Sequence, residues 1–209
     1  MSTEGEPVPD TPPPVDPKRT ALLVMDYQAG ILSSLTDADA LLSRAAEAIS
    51  IVRGHGGQIG YVRVAFDDAD FEAAPATSGM AARMAERGRA FHADSPATAI
   101  HDQITPEPGD IVVRKTRVGA FSTTDLHEQL RDREIDTLIL AGISTSGVVL
   151  STVRDAYDRD YQVFVLSDAS ADPQSQVHEF LIQQIFPRQA RVIAVADLGI
   201  LLSAPGRTG

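Results

Sequence analysis

Apolar runs of strand length alternate along this chain with stretches of helical periodicity, and that alternation restricts it to a short list of folds. Ala21-Leu22-Leu23-Val24-Met25 runs without interruption into Asp26, which suits a strand buried on both faces of a parallel sheet. A helix is expected from about Asp37, where Leu41, Ala45, Ala48 and Val52 fall on one face and Gly54 marks the end. A second strand is expected from Ile59 to Phe66. From Asp110 the rhythm is regular, with strands expected at Ile111–Arg114, Thr137–Ala141, Gln162–Leu166 and Arg191–Val195. Helices are expected between and after them, at Thr124–Asp132, Gly147–Arg159 and Ser175–Phe186. Alternation of this kind predicts an α/β fold, a three-layer α/β/α sandwich with a mainly parallel, Rossmann-like sheet and right-handed crossovers.

Two segments stand outside the rhythm. Residues 1–19 hold six of the 13 prolines among acidic and small polar residues, a composition that cannot bury a core, so a disordered tail is expected before a single domain over 20–203. Residues 67–109 form a long stretch with few apolar runs and one expected helix near Ala81–Arg89. Connections of that length act as lids or oligomer contacts, and Met80, Met84 and Phe91 suit either role.

Composition narrows the chemistry. The 209 residues contain no cysteine, which removes disulfides, thiolate metal sites and iron–sulfur clusters. A formal net charge of −11 argues against nucleic acid as a partner, because the only basic concentrations are Arg83/Arg87/Arg89 and Arg114/Lys115/Arg117. Three cations in a cleft could still meet a small anion. No apolar run is long enough to span a membrane, and Met-Ser-Thr-Glu-Gly-Glu does not read as a secretory signal, so a cytoplasmic location is expected. No G-x-G-x-x-G follows a strand, and the five histidines show no ligand spacing. Neither a metal nor any other cofactor is therefore expected. Asp67, Asp68 and Asp70 read as a solvated acidic loop.

Three features fall at the carboxyl ends of expected strands, where an open parallel sheet presents its functional groups. They are Asp26 with Tyr27-Gln28, Lys115, and the turn Gly142-Ile143-Ser144-Thr145-Ser146-Gly147-Val148. Each alone has a plain explanation: a cap, a solvated cation, a turn that needs glycine. Together, in this order, they resemble the isochorismatase-like (cysteine hydrolase) superfamily. Leu22-Leu23-Val24-Met25-Asp26-Tyr27-Gln28 is similar to its first-strand motif. Lys115-Thr116-Arg117-Val118-Gly119-Ala120-Phe121 with Thr124-Asp125-Leu126 is similar to its lysine motif. Gly142 to Val149 with Thr152 and Asp155-Ala156 is similar to its nucleophile motif, and Val165-Leu166-Ser167-Asp168-Ala169 also fits.

The resemblance implies a catalytic trio of Asp26, Lys115 and position 148, with a homodimer or homotetramer as the assembly. Position 148, where the family's cysteine stands, is valine, which has neither lone pair nor acidic proton, so nucleophilic catalysis there is excluded. Ser144, Thr145, Ser146 and Ser151 lie nearby, but no histidine adjacent in sequence could activate them; capping is the better reading. Family members that lack the cysteine cleave a vinyl ether by acid catalysis, and Asp26 with Lys115 meets that need in outline. Gln28, Arg117, Phe121, Ser144, Thr145, Gly147 and Val148 are the expected substrate-binding positions. Lys115 should hold Asp26 ionised until an anionic substrate takes over the cation. The competing expectation is a small-molecule binder that has lost its chemistry, and a structural ion pair is the plain reading of Asp26 with Lys115.

Overall fold

The computed structural model describes residues 15–203. Its elements run β1 (Thr20–Met25), α1 (Ala29–Leu32), α2 (Ala38–Gly54), β2 (Gln58–Val64), α3 (Asp68–Ala73), α4 (Gly79–Arg87) and β3 (Ile111–Lys115). After these come α5 (Leu126–Asp132), β4 (Thr137–Ile143), α6 (Leu150–Asp158), β5 (Gln162–Ala171), α7 (Ser175–Phe180), β6 (Arg191–Ile193) and α8 (Leu198–Ser203). The six strands form one sheet in the order β3-β2-β1-β4-β5-β6, and every neighbouring pair is parallel. The order reverses between β1 and β4, so connections leave to opposite sides there and open a crevice above their carboxyl ends.

The continuous apolar runs are explained by burial on two faces. Leu22, Val24, Ile59, Tyr61, Ile139, Phe164 and Leu166 face α2 and α8. Their alternate neighbours Leu23, Met25, Val62, Ile111, Val113, Leu138, Leu140 and Val165 face α5, α6 and the chain around Leu181–Phe186. A period of two therefore feeds two cores at once, and each fully buried Leu, Ile or Phe contributes about 1.5–3 kcal/mol. A third cluster, Phe66, Met84 and Phe91, lies apart under α4.

Several boundaries differ from expectation, each for a local reason. The expected tail 1–19 ends earlier: Val15 is buried in the core, and Pro17–Arg19 make a short turn capped by the Asp16 carboxylate. Residues 1–14 lie outside the described residues. Strand β5 continues past a register shift to Ala171, because Ser170 and Ala171 still pair with Gly142 and Ile143. Residues 145–149 make a wide turn before α6, in which the Val149 amide donates to the Ser144 carbonyl. A similar wide turn over Leu181–Ile185 ends α7 early. No helix among the described residues is long and apolar enough to cross a membrane.

Candidate active site

Asp26 is the first residue beyond β1. Its amide donates to the Val62 carbonyl at 2.8 Å and its φ is +63°, a left-handed conformation that Asp tolerates better than most residues. Lys115 ends β3, two strands away across β2, and adjacent strands are about 4.8 Å apart. Only a long side chain spans that gap. The Lys115 ammonium reaches Asp26 Oδ2 at 2.8 Å, and both side chains are almost wholly buried, at 2% and 6% exposure. It also donates to the carbonyls of Val118 (2.9 Å) and Arg117 (3.2 Å). All three ammonium protons thus have acceptors.

The Asp26 carboxylate is less well served. Oδ1 is buried with no hydrogen-bond partner. Burial is the largest influence on this group and pushes its pKa above the usual carboxylate range, against the pull of Lys115 and, further off, Arg87. The sequence predicts this ion pair, but it also predicts that the lysine dominates; the direction is reversed because both oxygens have left water and only one gained a donor. A carboxyl placed this way binds a proton more readily than a free one, which is what a general acid requires.

These groups open into a cavity of about 420 Å³ whose walls include Asp26, Lys115, Arg117, Val118, Ser144, Gly147 and Val148. Its floor is the crevice between β1 and β4, where the Ile143–Ser144 peptide is cis. Gly142 lets the chain cross closely here: a Cβ at that position would lie 3.0 Å from Val149 Cγ2 and 3.2 Å from Met25 Cβ. The roof is α4, whose residues Met80, Arg83, Met84 and Arg87 line the cavity at i, i+3, i+4 and i+7, joined by Phe91. The apolar residues of the 67–109 segment therefore close the pocket from within. Arg87 stacks over the Phe91 ring, 4.2 Å from its centroid. Among the described residues Arg83, Arg87 and Arg117 enter no ion pair, so the cavity holds four cationic side chains and one carboxyl.

Of the expected substrate-binding positions, Arg117, Ser144, Gly147 and Val148 line the cavity, while Gln28, Phe121 and Thr145 do not. The Gln28 amide is fully buried and holds the crossing itself: Nε2 donates to the carbonyls of Val64 and Thr98, and Oε1 accepts from the Val64 amide. Phe121 stacks on Tyr161 beneath α5. Thr145 turns its hydroxyl away to His178 Nδ1 at 2.8 Å. Asp67 and Asp70 are occupied too, by the capping box of α3 and by the Arg114 guanidinium, while the Arg63 guanidinium lies 3.3–3.4 Å from the carbonyls of Thr98 and Ala93.

Comparison with known proteins shows which family this fold and sequence belong to. The isochorismatase domain model matches residues 20–197. The chain belongs to the isochorismatase family. A probable isochorismatase of Pseudomonas chlororaphis is 34% identical over 88% of this chain and 86% of its own length. A ureidoacrylate amidohydrolase, RutB, of Methylobacterium radiotolerans is 30% identical over 97% and 88% respectively. Among solved structures, an isochorismatase family protein from Burkholderia thailandensis superposes with a TM-score of 0.78 at 28% identity, covering 92% of this chain and 99% of that one. The protein is thus an isochorismatase-family hydrolase with valine at position 148.

Proposed function

We propose that the protein hydrolyses a small anionic metabolite without a covalent intermediate, and that its substrate is a vinyl ether of the isochorismate type. One observation carries this reading: a buried carboxyl with a raised pKa and a free oxygen faces a cationic cavity whose nucleophile position is a hydrocarbon. Protonated Asp26 delivers its proton to the terminal carbon of the enol ether. The carbon–carbon π pair forms the new C–H bond and leaves an oxocarbenium ion. Water adds to that cation and returns a proton to the Asp26 carboxylate. The resulting hemiketal collapses to pyruvate and the ring alcohol, so the balance is ether plus water.

Lys115 anchors Asp26, and Arg83, Arg87 and Arg117 supply the charge that attracts carboxylates. The similarity to a probable isochorismatase supports the same reading; the similarity to an amidohydrolase points to amide chemistry, for which Val148 offers no nucleophile. The test is pyruvate release from isochorismate in H₂¹⁸O. The mechanism predicts that the ring alcohol keeps its unlabelled oxygens. Label in the ring hydroxyl would mean attack at the ring carbon and would overturn it. Binding without turnover would leave the protein as a binder.

A further inference from the structure

The turn that forms one wall of the cavity does not hold itself. Thr145 has no exposed surface and points its hydroxyl away from the cavity to His178 Nδ1, at 2.8 Å. The next residue is held as well: Asp172 Oδ2 accepts from the Ser146 amide at 2.9 Å and from the Ser146 hydroxyl at 2.6 Å. Asp172 is itself oriented by the Gln174 amide, which donates to its other oxygen at 3.2 Å. Two consecutive turn residues are therefore fastened to the segment that follows β5, one to a ring on α7 and one to a carboxylate. Ser144 and Gly147, which line the cavity, lie immediately either side of the fastened pair.

We propose that His178 is a positioning residue of the active site, fixing the Ser144–Val148 wall against Asp26 through Thr145. Neither structural convenience nor core filling accounts for it. The hydroxyl–imidazole bond joins two elements 33 residues apart in sequence, and an apolar pair would fill the same space without directional preference. The direction matters because Ser144, Gly147 and Val148 of this wall line the cavity beside Asp26, and a displacement near 1 Å in such a wall costs about 100-fold in rate. Burial favours the neutral form of the ring and prevails over the charges of Asp172 and Glu179 and a hydrogen bond to the Ser167 backbone, which favour the cation. A neutral ring that carries its proton on Nε2 accepts from the Thr145 hydroxyl at Nδ1. A protonated ring would donate instead, leaving the buried Thr145 hydroxyl proton without this acceptor.

This inference rests on the proposed reading of the cavity as the reaction site, and two separate readouts keep the two claims apart. The first is amide hydrogen exchange over 144–149 in Thr145→Val, His178→Ala and His178→Asn, the last retaining an acceptor near the position of Nδ1. Exchange in that stretch is expected to accelerate about tenfold or more in the first two, to stay near wild type in the third, and to leave α2 unchanged in all three. The second readout is pyruvate release from isochorismate. His178→Ala is expected to lower kcat about 10- to 100-fold with little change in KM, and His178→Asn to restore most of it. Unchanged exchange in His178→Ala overturns the inference, as does faster exchange with unaltered kcat. Absence of turnover in the wild type defeats the proposed function alone, and the exchange result then decides whether His178 holds the wall.

Discussion

Replacing Lys115 with methionine separates the contribution of the ion pair from that of its surroundings. The substitution keeps most of the volume and removes the only charge, among the described residues, within bonding distance of Asp26 (2.8 Å). Asp26 then retains burial as its main perturbation, so its pKa, already raised, climbs further. The penalty has a ceiling, because the carboxyl can take up a proton instead of staying charged. At pH 7 that ceiling is the cost of protonating an ordinary carboxyl of pKa near 3.9, roughly 3 units at about 1.4 kcal/mol each, or about 4 kcal/mol. Loss of one partner from a buried pair lies in the same range, about 3–5 kcal/mol. The sign follows from the direction of the shift. A carboxyl whose folded pKa exceeds its unfolded one destabilises the fold above the unfolded pKa and does nothing below it. Wild-type Asp26 already bears part of that cost, so Lys115→Met should be less stable than wild type at pH 7 by about 1–3 kcal/mol. The difference should shrink by up to about 1.4 kcal/mol per pH unit as the pH falls toward the raised pKa of wild-type Asp26, and stay constant below it. Urea unfolding followed by far-UV circular dichroism, repeated between pH 4 and 8, measures it. A deficit that is independent of pH, or below about 1 kcal/mol at pH 7, would refute the argument that Asp26 depends on this cation.

Further expectations concern the walls. Val148→Cys should be alkylated by iodoacetamide and acquire slow hydrolysis of p-nitrophenyl acetate, because the cysteine would enter a cavity that already holds Asp26 and Lys115; no alkylation would mean that position 148 does not face reagent. The double variant Arg83→Ala/Arg87→Ala should weaken isochorismate binding about 10-fold or more by calorimetry, and the wild-type affinity should fall with salt; equal affinity would remove α4 from substrate recognition. Gln28→Leu should cost about 2–4 kcal/mol in urea unfolding, since it strands the Val64 amide and takes a donor from the Val64 and Thr98 carbonyls. An effect under about 0.5 kcal/mol would show that these bonds are replaced by water.

Much of the architecture was legible because a parallel sheet buried on two faces writes itself as apolar runs, and β1, β3 and β4 lie close to where those runs predict. The ends were less legible. Strand β5 outlasts its apolar stretch because Ser170 and Ala171 are held by β4 rather than by their own propensity, and the wide turns before α6 and after α7 are too short to show a period of their own in the sequence. At the site, Asp26, Lys115 and the 142–148 turn could be placed from strand ends alone. Gln28 and Thr145 sit in the same motifs, but nothing in a motif tells which way a side chain faces, and both turn inward to structural bonds. The spacing of Met80, Arg83, Met84 and Arg87 marks one helical face, yet whether that face meets a pocket or another chain needed the fold. His178 had no sequence signal: it reaches Thr145 only because β5 returns α7 to the end of β4.

The central claim is that Asp26 acts as a general acid in a site without a nucleophile. The most direct measurement is pyruvate release from isochorismate by wild type and Asp26→Asn, each followed across pH by a coupled dehydrogenase assay. Wild-type turnover should decline as pH rises through the raised pKa of Asp26, and the asparagine variant should lose about 10²–10⁴-fold. An asparagine variant as fast as wild type, or a wild-type rate that rises with pH, would contradict the claim.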